Sequence, residues 1–214
     1  MWVVAVSRRG EFEGIREHLE SLSHHRYERI TTGTGGEICA SPNDSGWPHL
    51  ALVPEDLNRL RAITQWLHRN LDLSAIVSSG VIEPCMPETT GESSWFIPSM
   101  CLRSAGRLDI GSSPVLYEEI AFDRDVQRLI TQTLVKRPLE MENRLFGVDR
   151  PVTDAETKKW IYANLECQAA DEISAELLIM GKRLGTRIGC LKVFGNAKDP
   201  VKQLQEAWAA LIRP

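Results

Sequence analysis

Residues 2–6, WVVAV, form an unbroken apolar run rich in β-branched side chains, the pattern of a strand buried on both faces. In EFEGIREHLESL, which follows, Phe12, Ile15, Leu19 and Leu22 recur at helical spacing. YERITTGTGGEICAS predicts a strand ending at Gly33 that opens a second helix or a turn. NRLRAITQWLHRNL then sets Leu60, Ile63, Leu67 and Leu71 on one helix face, and DLSAIVSSGV predicts a strand terminating in Ser78-Ser79-Gly80. Residues 84–118 are rich in Pro, Gly and Ser and read as loops with short strands such as SSWFIPS. EIAFDRDVQRLITQTL predicts an amphipathic helix, and TDAETKKWIYANL another, capped by Thr153 or Asp154 with Glu156 in its first turn. In QAADEISAELLIMGKRLG a pair of carboxylates opens a helix that Gly185 ends, and a short apolar run then stops at FGNAKD. A final helix follows in DPVKQLQEAWAALI, with Asp199 as cap and Pro200 at its first position. Strands alternate with helices throughout, which predicts a three-layer α/β fold.

Composition narrows the function classes. A chain of 214 residues with 43% hydrophobic and 25% charged residues fits one globular domain over 1–214. A net charge of −4 gives no electrostatic reason to expect nucleic acid or an anionic membrane as partner. No apolar run approaches the roughly 18 residues of a membrane span, and the charge after the first strand reverses the order of a signal peptide. Five cysteines without C-x-x-C spacing indicate neither a disulfide framework nor a zinc site, so a reduced, cytoplasmic protein is expected. The five histidines lack metal-ligand spacing, so no metal site is expected.

In α/β folds of this kind ligands collect outside the carboxyl ends of the strands. Three such ends here are TTGTGG, VSSGV and VFGNAK. Thr32, Gly33 and Gly35 suit either a structural turn or an anion or sugar turn, since Gly serves both. They do not make a G-x-G-x-x-G, which argues against a nicotinamide cofactor. Ser79 and Gly80 end a strand and are site-like by position. Asp171 and Glu172 complement a helix N-terminus by charge alone, and Asn196 serves equally to terminate a strand. Glu11 and Glu13 stand at a helix start, where solvated acids are common. Trp95 or Phe96 offers a ring on which a base can stack.

Taken in order, these pieces resemble the nucleoside phosphorylase and nucleosidase superfamily, which includes purine nucleoside phosphorylases, methylthioadenosine/S-adenosylhomocysteine nucleosidases, futalosine hydrolases and phosphorylase-like proteins linked to hopanoid synthesis. The resemblance lies in the acid-bearing VVAVSRRGEFEG, in Thr32-Gly33-Thr34-Gly35, in Ser79-Gly80 with Gly91-Glu92 after it, and most strongly in Asp171-Glu172-Ile173-Ser174-Ala175, Gly185, Lys192 and Gly195-Asn196. It implies an αβα sandwich with a mixed central sheet, a homo-oligomer, and cleavage of a purine-type N-glycosidic bond without a cofactor. Inorganic phosphate or water would be the nucleophile. In register with the family's motif, the ribose-binding Glu becomes Ile173, with Glu172 one residue away. The base-protonating Asp becomes Asn196, and the Arg of the last strand becomes Lys192. Breaking the bond passes through an oxocarbenium-like sugar, which needs a carboxylate near the ribose hydroxyls and help for the leaving base. The resemblance thus implies Glu172 for the sugar, Asn196 as an amide donor to the base, and Glu11 or Glu13 to activate water. Phosphate, if used, would sit against the Thr32–Gly36 and Ser79-Gly80 turns with Arg8 or Arg9 nearby. The double change at Ile173 and Asn196 also fits a descendant that binds a nucleoside-like ligand or a protein partner without turnover.

Overall fold

The computed structural model describes residues 1–24, 26–33, 35–41, 46–86, 95–104, 117–135 and 143–212. The strands are β1 (Trp2–Val6), β2 (Glu28–Thr31), β3 (Glu37–Ala40), β4 (His49–Leu52), β5 (Ala75–Ile82), β6 (Trp95–Phe96), β7 (Met100–Ser104), β8 (Tyr117–Ala121), β9 (Arg144–Gly147), β10 (Ala169–Asp171) and β11 (Arg187–Phe194). The helices are α1 (Arg9–Ser23), α2 (Leu57–Asn70), α3 (Arg124–Leu134), α4 (Ala155–Leu165), α5 (Ser174–Leu184) and α6 (Pro200–Ile212).

A seven-stranded sheet runs in the order β2-β3-β4-β1-β5-β11-β6, and a four-stranded sheet runs β10-β9-β7-β8. The middle of the large sheet, β4-β1-β5-β11, is parallel, while β2, β3 and β6 join by antiparallel pairing. The sheet is therefore mixed. Strand alternation divides the core between its faces. Val3 and Ala5 of β1 face the side that packs Leu60, Ile63 and Leu67 of α2 and Leu177 and Leu178 of α5. Val4 and Val6 face Phe12, Ile15 and Leu19 of α1, Ile130 of α3 and Trp208 of α6. The first of these cores also takes Cys101, Ile120 and Leu145 from the small sheet. The layers are those of an αβα sandwich.

Several boundaries differ from the sequence reading, each for a local reason. β2 ends at Thr31 rather than Gly33, and of the helix or turn expected after it the turn is formed: Gly35 donates its N–H to the Thr32 carbonyl at 3.3 Å and the chain returns as β3. The helix expected to begin near Glu119 begins at Arg124, because the Asp123 carboxylate accepts from the Asp125 and Val126 N–H groups, and Tyr117–Ala121 pairs with β7 instead. Asp154, not Thr153, caps α4 by accepting from Thr157 N–H at 2.7 Å. Asp171 ends a strand rather than opening a helix, which starts at Ser174. β5 does not stop at Ser78-Ser79-Gly80 but runs on to Ile82, in register with Phe194 of β11. Gly91, Glu92 and Thr34 lie outside the described residues.

Candidate active site

At the carboxyl end of β5 and β11 a cavity of about 230 Å³ opens between α1, the 151–153 segment and the β10–α5 junction. That is small beside the roughly 300–1,000 Å³ of ligand pockets in general, and it suits a ligand smaller than a dinucleotide. Its inner wall is made by three charged side chains that the fold removes from water.

Glu11, in the first turn of α1, is 6% exposed. One of its carboxylate oxygens accepts the backbone N–H of Val81 at 3.2 Å. Gly80 makes that approach possible. It holds φ +145, and a Cβ there would stand 2.7 Å from Glu11 Oε2, so only a residue without one leaves the carboxylate its place. Burial raises the Glu11 pKa above its ordinary value; the Val81 N–H and the charges of Arg8 and Lys192 pull the other way without cancelling it. Arg8 lies 3.5 Å from the Glu11 carboxylate and is itself largely exposed.

Beside Glu11, Lys192 of β11 places its Nζ 3.0 Å from Asp171 Oδ2, and both side chains are buried. Burial works against both charges. The Lys192 ammonium and the Ser174 hydroxyl nevertheless hold the Asp171 carboxyl below its ordinary range. The Asp171 carboxylate likewise keeps Lys192 above its own, against the pull of burial. Asp171 also accepts from the N–H groups of Ile173 (3.4 Å) and Ser174 (3.2 Å), which anchors it at the start of α5. The Ser174 hydroxyl continues inward to Ser78 at 2.7 Å, tying α5 to β5. Glu172, half-buried at the rim, has its pKa raised by burial and by the neighbouring Asp171 charge.

Of the residues proposed from the sequence, Glu11, Ser79, Gly80 and Glu172 line this cavity together. The Ser79 hydroxyl is engaged with α6, accepting from Trp208 Nε1 at 2.9 Å. The others stand elsewhere. Ile173 is a core residue, 1% exposed, packed among apolar neighbours. Phe96 is buried against Phe194 with ring centroids 5.3 Å apart. Thr32, Gly33 and Gly35 form the β2–β3 turn, at the same end of the large sheet but strands away from β5. Asn196 is exposed in the turn after β11. Its neighbour Gly195 abuts the cavity rim, since a Cβ there would meet Glu83 Oε1 at 2.6 Å. The cavity also takes Glu83, Cys85, Thr153 and Lys158. Sequence reading passed over these, because nothing along the chain connects α4 or the far end of β5 to Glu11.

A mixed αβα sandwich with a small polar cavity at its parallel strand ends can be compared with solved structures. Futalosine hydrolase of Helicobacter pylori superposes with a TM-score of 0.76 over 98% of this chain and 95% of its own, at 14% identity. The 5′-methylthioadenosine/S-adenosylhomocysteine nucleosidase of the same organism, in complex with butyl-thio-DADMe-Immucillin-A, gives 0.75 over 99% and 94%, at 13% identity. The chain has the nucleosidase fold. The Neisseria meningitidis nucleosidase bound to methylthio-immucillin-A shares this fold with it at a TM-score of 0.70, over 99% and 94% of the two chains and at 16% identity. No protein-family model matches the sequence, and neither does any curated protein. No described helix is long and apolar enough to cross a membrane.

Proposed function

We propose that the protein hydrolyses the N-glycosidic bond of a purine-type nucleoside, with Glu11 as the base that takes a proton from the attacking water. The observation that carries this reading is the Glu11 carboxylate itself: buried, fixed by one strand-end N–H, raised in pKa, and facing a cavity of nucleoside scale. A base whose pKa is lifted toward the working pH accepts a proton more effectively while remaining ionised. Water adds to the sugar carbon as the carbon–nitrogen bond breaks, its proton passes to Glu11, and the base leaves with the bonding pair. Glu172 at the rim holds the ribose hydroxyls, and the Asn196 amide, in the turn that abuts the rim, donates a hydrogen bond to the departing base. An amide supplies no proton, so the leaving nitrogen must be protonated from solvent. Water suits this cavity better than phosphate as the nucleophile. The Val81 N–H that an anion would use is already taken by Glu11, and Glu11 and Glu172 would repel it. The solved relatives named above, a hydrolase and two nucleosidases, agree with this choice.

Base release followed by chromatography, with adenosine, inosine, methylthioadenosine, S-adenosylhomocysteine and futalosine, each with and without phosphate, tests the reading. Release independent of phosphate is expected; release only with phosphate would replace hydrolysis by phosphorolysis. A second reading, a binding protein without turnover, draws on one observation: Ile173 is core and Asn196 is an amide, so neither position brings a carboxyl to the cavity. It predicts stabilisation by nucleosides with no base released, even in Asn196→Asp. The homo-oligomer expected from the resemblance belongs to the first reading and is checked by sedimentation.

A further inference from the structure

Of the carboxylates that line the cavity, Glu83 stands against the Gly195-Asn196 turn. The fold puts it there. β5 runs past Gly80 to Ile82, in register with Phe194, and Gly195 donates its N–H to the Ile82 carbonyl at 2.8 Å. Gly195 lacks the Cβ that would meet Glu83 Oε1 at 2.6 Å, so the carboxylate keeps its place against the turn. Glu83 is exposed, and among the described residues no cationic side chain lies within 4.0 Å of it. The cations of the lining are engaged elsewhere: Lys192 with Asp171 at 3.0 Å, Arg8 with Glu11 at 3.5 Å, and Lys158 with the charge of Asp154 at the α4 cap. The lining thus carries more carboxylates than cations, and the excess falls at the rim, on Glu83 and Glu172.

On the hydrolase reading the base lies at this same turn, where Asn196 brings an amide in place of an acid. A neutral base must then draw its proton from solvent. A base whose ring nitrogen is already quaternised needs none: when the carbon–nitrogen bond breaks, the bonding pair stays with the ring, cancels its charge, and a neutral base leaves. Water adds to the sugar carbon and its proton passes to Glu11, so the step balances without a general acid.

We propose that the substrate is a nucleoside whose base is itself a cation, an N-alkylated purinium or a pyridinium, and that Glu83 binds that cation. This rests on the hydrolase reading for the bond that breaks, but not for the charge. Glu83 attracts the base before the bond breaks and loses that attraction as the base becomes neutral, so it acts on binding and not on the chemical step. The positive charge passes meanwhile to the sugar, on the side of Glu172.

Base release from 7-methylguanosine, nicotinamide riboside and guanosine tests this, in mildly acidic buffer where the methylated purine remains a cation. Rates without protein are subtracted, because cationic nucleosides also hydrolyse unaided. In the wild type, kcat/KM for at least one of the two cations should exceed that for guanosine by about a hundredfold or more, the scale of the general acid that a neutral base lacks. The better of the two tells purinium from pyridinium. For that nucleoside Glu83→Gln should raise KM about fivefold without lowering kcat, the scale of one charge pair about 4 Å apart in water. Glu83→Asp should keep most of the affinity. Asn196→Asp should raise release from guanosine more than release from the cation. A kcat/KM for guanosine that matches both cations, or a KM for the cations that Glu83→Gln leaves unmoved, overturns the proposal and leaves the hydrolase reading intact. If no nucleoside is cleaved, titration calorimetry decides. A cation bound about fivefold tighter than guanosine by the wild type, but not by Glu83→Gln, keeps the charge selection and sinks the hydrolase reading. Equal binding, or none, sinks both.

Discussion

Glu11 serves two opposed demands at one residue. Burial makes its charged form costly, while the Val81 N–H and the cavity require that form. Because its folded-state pKa is raised, its contribution to stability is full below the ordinary glutamate value and is lost as the pH rises through the folded value. At neutral pH the ionised carboxylate is therefore a strain on the fold. Glu11→Gln should raise the melting temperature at pH 7 and change it much less in acid, as scanning fluorimetry at the two pH values would show. The same variant should lower base release by about a hundredfold or more and abolish the acid limb of kcat/KM. A lower melting temperature at pH 7 would contradict the electrostatic account. Lys192 sets the converse problem. Lys192→Met alone strands the Asp171 charge and should cost about 3–5 kcal/mol in urea unfolding. Asp171→Asn with Lys192→Met removes both charges while retaining an acceptor for the Ile173 and Ser174 N–H groups, and should recover most of that loss. Additive losses in the double variant would mean that the two side chains are not coupled.

At the scale of elements, α5 decides how the site is assembled. It packs against β11 of the large sheet and against β7, β8 and β9 of the small one, which leaves little clearance on either side. Gly181 meets this on the helix: a Cβ there would stand 2.2 Å from Ile188 Cγ1. Gly147 meets it on β9, where a Cβ would stand 2.4 Å from that of Ala175. Gly147→Ala should therefore push α5 outward, costing about 1–3 kcal/mol by denaturant titration. It should also weaken ligand binding through Asp171, which leads into the same helix. Gly10, with nothing within 4 Å of its would-be Cβ, is the contrast, and Gly10→Ala should be neutral or slightly stabilising. An equal loss at both positions would speak against close packing as the cause.

For the whole molecule, the buried charges tie separate elements together. Glu176 of α5, 2% exposed, accepts from Arg61 Nε of α2 at 2.6 Å and lies 3.9 Å from Arg103 of β7. Asp171 and Lys192 join the small sheet to the large one at the cavity. The Asp171 pKa is depressed, so its contribution is present above its ordinary value of 3.8 and lost as the pH falls through the lower folded value. Acid unfolding followed by circular dichroism should accordingly set in below the ordinary aspartate range, and Asp171→Asn should lessen that sensitivity while lowering stability at neutral pH. Acid sensitivity identical in wild type and variant would assign the effect to other carboxylates.

Local pattern alone determined the layers of this protein. The apolar WVVAV run, the helical spacing of Phe12, Ile15 and Leu19, the αL-competent Gly185 and Pro200 at a helix start are short-range signals, and the chain forms the elements they predict. The rule that ligands gather at strand ends also pointed to the Ser79–Gly80 region before any contact was known, and that region lines the cavity. Other features depend on partners distant in sequence. β4, β9 and β10 are only three or four residues long and are defined by pairing rather than by period. Glu119 and Ile120 sit next to a good helix but are recruited by β7. Only the tertiary structure decided which of the candidate residues meet. Glu11 reaches a strand end because Gly80, 69 positions on, lacks a Cβ, and Lys192 is neutralised by Asp171 across an element boundary. Ile173 falls into the core because the turn into α5 points it inward, and Lys158 joins the cavity because α4 packs beside β10. Charge, burial and clearance at a site are set by neighbours in space, and a chain read one residue after another carries no record of them.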